Sequence, residues 1–67
     1  MGVLKVIEIL SSSDVSWEEA TRQGVAEAAK TLKHIRSAYV QEQSAVVNDD
    51  GKVTLYRVNL KLSFEIK

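Results

Sequence analysis

The sequence contains no cysteine and only one histidine, which removes two common ways of stabilising a small domain. Disulfide bonds are excluded, and so is a structural zinc site within one chain, because such a site needs about four nitrogen or sulfur ligands. A domain of 67 residues buries only about 60% of the surface that its unfolded chain exposes. Oligomerisation is therefore the remaining way to make so small a domain stable.

Net charge is also absent, because nine basic residues are balanced by nine acidic ones. A neutral chain has no long-range field to attract nucleic acid or an anionic membrane. The opening segment MGVLKVIEIL is interrupted by Lys5 and Glu8, and its apolar run is too short for a signal peptide or a membrane span. We therefore predict a cytoplasmic protein whose partners include neither nucleic acid nor a membrane.

Glycine occurs only three times, and none of these positions suits a phosphate-binding loop. Ser11, Ser12 and Ser13 follow a predicted strand and precede a predicted helix, as phosphate loops do. Such a loop needs glycines that let the backbone approach a phosphate. The three serines are therefore predicted to form an ordinary loop with residues that cap the helix.

Recognisable catalytic groupings are lacking as well. The single histidine, His34, is predicted to lie at the end of the helix, where it interacts favourably with the last carbonyl groups. No nucleophile can be matched with a base, and no acid and base pair is recognisable within one chain. We predict that the protein is not an enzyme.

The first half of the chain predicts a strand followed by a helix. VLKVIEIL is rich in β-branched residues and ends at the polar cluster SSSD, as strands commonly do. Ser16 and Glu19 have the spacing of a capping box, and the small and apolar residues that follow recur at intervals of three and four. The helix is predicted from about Trp17 to about His34. Gly24 in its interior indicates a close backbone approach, because glycine disfavours helix by about 1 kcal/mol.

The second half predicts an antiparallel hairpin. SAYVQEQSAVV and the segment from Val53 are joined by a turn at Asp50 and Gly51, a strong hairpin signal. The helix is predicted to pack on the apolar face of the last strand, which carries Val58, Leu60, Leu62 and Phe64. Residues 1–67 are thus predicted to form one α+β domain with the element order β-α-β-β.

Two polar features of the hairpin bear on ligands. Asp49 and Asp50 offer two carboxylates to a hard cation such as calcium, which takes six to eight oxygen ligands. They are equally the residues that commonly form turns, and both interpretations stay open. The opposite face of the last strand carries Arg57, Asn59 and Lys61. These residues could form an anion-binding patch, but the zero net charge favours a face that meets solvent or an interface.

The motifs together resemble the dodecin family over nearly the whole chain. They are the strand KVIEIL, the helix entry SSSDVSWEEA, the helix exit AAKTLKHIR and the final strand YRVNLKLSFEI. The resemblance implies a homododecamer in which a three-stranded antiparallel sheet wraps partly around one helix. It also implies a flavin (FMN or riboflavin) pocket between subunits on a two-fold axis. The polar face of the last strand, together with the strand around Gln41 and Gln43, would then meet other subunits or a ligand.

The sequence departs from the family at both flavin positions. Where flavin-binding dodecins carry a tryptophan that stacks on the flavin ring, this chain has Ser37. Where they carry a glutamine that bonds the ring edge, it has Arg57. The resemblance is therefore greater to the smaller branch that lacks the tryptophan and is associated with calcium. We predict an oligomeric protein that binds or stores a small ligand or a cation. The alternatives are a flavin-binding dodecin with an altered pocket and a structural oligomer without a ligand.

Overall fold

The computed structural model describes residues 2–66 and has the predicted order of elements. Strand β1 spans Val3–Ser13, helix α1 spans Trp17–Ala28, strand β2 spans Ile35–Val47 and strand β3 spans Val53–Ile66. The three strands form one sheet in the order β1-β3-β2, and both pairings are antiparallel. The predicted α+β fold with a three-stranded antiparallel sheet and one helix is confirmed.

The core lies between α1 and the central strand β3. Val58, Leu60 and Leu62 project from one face of β3 and are at most 1% exposed, and Ala20 of α1 is fully buried against them. Phe64, on the same face, is half-buried. The alternation of β3 therefore places its apolar residues under the helix, as predicted. We call this side of the sheet the inner face and the opposite side the outer face.

Gly24 lies at the closest contact between the helix and the sheet. A Cβ atom added there would lie 3.0 Å from Leu60 Cδ1 and 3.0 Å from Ser11 Cβ. These separations are shorter than ordinary contacts between carbon atoms. The predicted close backbone approach is confirmed, and it explains the glycine in the middle of the helix.

The helix is shorter than the sequence predicted, because it ends at Ala28 rather than near His34. His34 has φ 64°, a left-handed conformation that reverses the chain so that Ile35 can pair with Phe64. The His34 carbonyl also accepts a hydrogen bond from the Glu65 amide at 3.0 Å. The last turn of α1 therefore contains no basic residue, and the predicted role of His34 at the helix end is wrong.

The serines predicted as a loop belong to β1. Residues 11–13 continue the strand and pair with Val58, Arg57 and Tyr56, respectively. The Ser11 hydroxyl donates to the carbonyl of Ala20 at 2.8 Å, which ties the strand to the helix. The helix cap is Ser16, whose hydroxyl accepts from the Glu19 amide at 2.9 Å. The Glu19 carboxylate accepts from Arg22 and Gln23.

The β2–β3 turn confirms the predicted hairpin. Gly51 has φ 79°, the conformation that favours glycine, and its amide donates to the Asn48 carbonyl at 3.0 Å. The Asn48 side chain accepts from the amides of Asp50 and Lys52. Among residues 2–66, no helix has the length and apolarity required to cross a membrane.

Candidate functional site on the outer face of the sheet

The outer face is the surface that α1 leaves uncovered. Its central row, from β3, consists of the polar residues Arg57, Asn59, Lys61 and Ser63, because successive side chains of a strand point to opposite faces. The row from β1 is largely apolar, with Leu4, Val6 and Leu10 exposed by 53%, 56% and 79%. The outer face therefore combines a polar centre with an exposed apolar flank.

A bulge in β2 decides which of its polar residues reach this face. The pairing of β2 with β3 shifts between Val40 and Glu42, so Gln41 is the extra residue. A one-residue shift exchanges the two faces of a strand. Beyond the bulge, Glu42 pairs with Asn59 and Ser44 with Arg57, so Glu42 and Ser44 lie on the outer face.

Gln43, in the strand segment predicted to meet other subunits or a ligand, does not lie on the outer face. Gln43 pairs with the buried Val58, and it lines a pocket beside Ser16 and Trp17 at the start of α1. The sequence SAYVQEQSAVV does not reveal the bulge. Its middle is a run of consecutive polar residues, QEQS, so no break in an alternating pattern is visible there.

Ser37, predicted to occupy the family's flavin-stacking position, lies at one end of the outer face. It pairs with Ser63 of β3, and the two hydroxyl groups share a short hydrogen bond. Next to it, Arg36 donates to the Glu65 carboxylate at 2.9 Å. The polar groups at this end of the face therefore bond one another across the strands.

Arg57, predicted to occupy the family's second flavin position, lies toward the other end. In the register of the sheet it stands between Ser12 of β1 and Ser44 of β2. Its side chain is exposed. Six positions of β3 separate Arg57 from Ser63, the partner of Ser37, or about 20 Å along a strand. One chain therefore does not bring Ser37 and Arg57 together.

A groove surrounds Arg57 and includes residues that the sequence did not single out. Its volume is about 420 Å³, and its lining includes Leu10, Ser12, Glu42, Ser44, Arg57 and Asn59. The Asn59 side-chain oxygen Oδ1 is buried and has no hydrogen-bond partner within the described part of the chain. Most buried polar atoms have such a partner. The sequence marks Asn59 only as a polar residue of the central strand.

The cation candidates Asp49 and Asp50 lie in the exposed β2–β3 turn. The hydrogen bonds of this turn are made by Asn48 and the backbone. Within residues 2–66, no group of three or more histidine, aspartate or glutamate side chains is close enough to hold a metal ion. Calcium takes six to eight oxygen ligands, more than the two turn carboxylates supply by themselves.

Trp17 connects the start of the helix to β2 and β3. Its indole Nε1 donates to the Ser44 carbonyl at 2.9 Å. Its ring and that of Tyr56 form a T-shaped pair with a centroid distance of 5.0 Å and an interplanar angle of 76°. This arrangement anchors the helix start on the two strands that also carry Ser44 and Arg57.

The comparison with known families agrees with this architecture, since the sequence model of the Dodecin family matches residues 3–67. The chain belongs to the dodecin family. The resemblance inferred from the motifs is thereby confirmed.

Several dodecins are similar to this chain. Calcium dodecin of Mycobacterium tuberculosis is 42% identical over 67 residues, which are 100% of this chain and 93% of the relative. The crystal structure of that calcium-chelating antigen, described with a novel calcium-binding site, has a TM-score of 0.84 and 39% identity and covers 98% of this chain and 93% of its own. Dodecin from Streptomyces coelicolor has a TM-score of 0.91 and 28% identity, with coverage of 97% and 91%.

Proposed function

We propose that this dodecin is a cytoplasmic homododecamer that binds calcium and has little affinity for flavin. The observation that carries the proposal is the 42% identity to calcium dodecin along the full length of the chain. The substitutions at the two flavin positions agree with it. The proposed role is sequestration or storage of the ion.

The exposed apolar surface supports assembly. Among residues 2–66, only four hydrophobic residues are buried, whereas Leu4, Val6, Leu10 and Tyr39 are each more than half exposed on the outer face. Burial of apolar surface stabilises a protein by about 25 cal/mol per Å². Contact between copies of the outer face would therefore supply stability that so small a core lacks.

The incomplete ligand set of one chain supports a calcium site shared between subunits. Symmetry brings copies of one residue to a common axis, so a single carboxylate per chain becomes several around one ion. The candidates are Asp49 and Asp50 in the turn. This arrangement makes calcium binding depend on assembly.

The substitutions at Ser37 and Arg57 support weak flavin binding. A serine offers no ring to stack on the flavin, and aromatic stacking contributes about 0.5–1.5 kcal/mol per pair beyond its buried area. A guanidinium carries a fixed charge and does not reproduce the donor and acceptor pair of a glutamine amide. In a pocket on a two-fold axis, two subunits contribute the same residues, so both the missing ring and the missing amide count twice.

The first experiment measures the absolute mass by size exclusion with light scattering while the visible absorbance of the same peak is recorded. We expect a colourless dodecamer of 7.5 kDa chains. Calorimetry on the chelator-treated protein should then detect calcium binding. A yellow peak with stoichiometric flavin would overturn the flavin part of the proposal, and a monomer would overturn the assembly.

The ligands of calcium are tested by the double substitution Asp49→Asn and Asp50→Asn. We expect loss of measurable calcium binding with the dodecamer intact, because the amides keep the turn but remove the charge. The control is Asp14→Asn, an exposed carboxylate before the helix. Unchanged calcium binding in the double variant would exclude the turn as the site.

A further inference from the structure

The groove at Arg57 contains an unpaired cation beside two hydroxyl groups. The ion pairs in the described part of the chain join Arg22 to Glu19, Lys30 to Glu27 and Arg36 to Glu65, and none includes Arg57. In the register of the sheet, Ser12 and Ser44 flank Arg57 on both sides. A guanidinium presents five N–H donors, and each serine adds one O–H donor. Donors of this kind that converge from three strands suit a tetrahedral oxyanion.

The adjacent part of the groove, around Asn59, offers hydrogen-bond acceptors rather than donors. Asn59 Oδ1 is a buried acceptor without a donor, and Glu42, its register partner on β2, adds a carboxylate. Leu10 is the partner of Asn59 on β1, and its exposed side chain provides an apolar wall. A ligand that fits this part brings hydroxyl donors and some carbon surface.

Calcium suits the groove poorly. Glu42 is the only carboxylate in its lining, and it is the diagonal neighbour of Arg57 across β2 and β3, about 7–8 Å apart at their Cα atoms. The positive charge of Arg57 would repel a divalent cation placed at Glu42.

We propose that this groove binds a small organic phosphate that carries hydroxyl groups. The phosphate accepts hydrogen bonds from Arg57, Ser12 and Ser44. The hydroxyl groups donate to Asn59 Oδ1 and to the Glu42 carboxylate, and the carbon skeleton lies on Leu10. None of these residues is a candidate ligand of the calcium site proposed above, so the two sites are distinct. In the proposed assembly, a second copy of the outer face borders the groove.

Trp17 provides an optical signal for this site. It is the only tryptophan of the chain, and it is bonded to the Ser44 carbonyl and packed on Tyr56, the neighbour of Arg57. Occupation of the groove should therefore change the tryptophan fluorescence of the intact protein.

The test titrates the assembled, chelator-treated protein with glycerol 2-phosphate, inorganic phosphate, glycerate and glycerol by calorimetry and fluorescence. We expect glycerol 2-phosphate to bind about tenfold more tightly than inorganic phosphate, and glycerol not to bind. Arg57→Gln should weaken glycerol 2-phosphate at least about tenfold, because it removes a charge-assisted bond. The matched control is Lys61→Gln, which removes an exposed cation from the same row of β3 and should change affinity less than about twofold.

A second variant tests the acceptor end of the groove. Glu42→Gln removes a negative charge that repels phosphate and an acceptor for the ligand hydroxyl. We expect the preference for glycerol 2-phosphate over inorganic phosphate to fall, mainly because inorganic phosphate binds more tightly. If Arg57→Gln fails to assemble, Arg57→Lys takes its place, with an expected loss of at least about threefold, since lysine lacks the planar fork of donors.

Three outcomes would overturn the proposal. They are the absence of both heat and fluorescence change with glycerol 2-phosphate, equal losses in the Arg57 and Lys61 variants, and glycerate that binds as tightly as glycerol 2-phosphate. The last result would assign the groove to carboxylates. A calcium titration of the same samples reports on the other proposal separately, so a failure of one leaves the other standing.

Discussion

Ser37 and Arg57 are the two side chains on which the proposal of weak flavin binding depends. Ser37 forms a cross-strand pair with Ser63, and such serine pairs stabilise neighbouring strands modestly. Arg57, by contrast, takes part in none of the ion pairs of the described residues. One substituted position thus bonds within its own sheet, whereas the other remains available to a ligand.

Replacing both residues tests whether the positions line a flavin pocket. We expect Ser37→Trp combined with Arg57→Gln to produce flavin binding, because the change restores a stacking ring and an amide. The measurement is the quenching of riboflavin or FMN fluorescence by the dodecamer. Arg57→Gln alone serves as the control and should quench little. An intact dodecamer of the double variant that ignores flavin would show that these positions do not form such a pocket.

Gly24 is the position where a single methyl group should matter most for stability. Gly24→Ala gains about 1 kcal/mol of helix propensity, but its Cβ would lie 3.0 Å from both Leu60 and Ser11. Overpacking of a core typically costs about 1–3 kcal/mol, and the strand at Ser11 has little room to move. We expect a net destabilisation of about 1 kcal/mol in urea denaturation at equal protein concentration. A more stable alanine variant would show that Leu60 and Ser11 move enough to accommodate the added methyl group.

At the scale of elements, the end of α1 and the bulge of β2 have the largest consequences. The helix stops at Ala28 although residues after it favour helix, because Ile35 must pair with Phe64. The bulge at Gln41 moves Glu42 and Ser44 onto the outer face. Each of these features follows from the pairing with β3, which local sequence does not reveal.

The chain reversal at His34 provides a test of the helix end. His34 is the only residue other than glycine with positive φ between residues 2 and 66, a conformation that costs L residues about 1 kcal/mol or more. Substitution by glycine removes this strain but adds freedom to the unfolded chain. We expect His34→Gly to be about 1 kcal/mol less destabilising than Lys33→Gly in thermal or urea unfolding. Equal effects of the two variants would contradict a strained reversal at His34.

At the scale of the whole molecule, one face of the sheet lacks cover. The chain is extended, with principal dimensions of 50 × 19 × 13 Å, and α1 packs only on the inner face. The apolar residues of β1 on the outer face are exposed. A surface of this kind on a small protein marks an interaction site, which agrees with assembly.

A charge in the apolar row of β1 should weaken the assembly. Val6 is 56% exposed and pairs with Ser63 on the outer face, so Val6→Lys places an ammonium group where the proposal needs a dry contact. We expect dissociation to smaller species by light scattering. Ala26→Lys, on the exposed side of α1, should leave the mass unchanged. A Val6→Lys protein that remains a dodecamer would exclude this row from the subunit contacts.

Much of the fold is readable from local patterns. The alternation from Val53 to Ile66 predicts which side of β3 is buried, Ser16 predicts the helix start and Gly51 predicts the turn. Each of these signals depends on a few adjacent residues whose backbone preferences and burial agree. The motifs also predict the family, which the match over residues 3–67 confirms.

The sequence by itself therefore determined the order of the elements, the inner face of β3, the turn and the membership of the family. Only the tertiary structure decided where α1 ends, how far β1 extends and which residues surround Arg57. The physical reason is that these features depend on hydrogen bonds between distant strands. Such bonds outweigh the local helix propensity before His34. They also shift the alternation of β2 at Gln41, and the neighbouring residues predict neither effect.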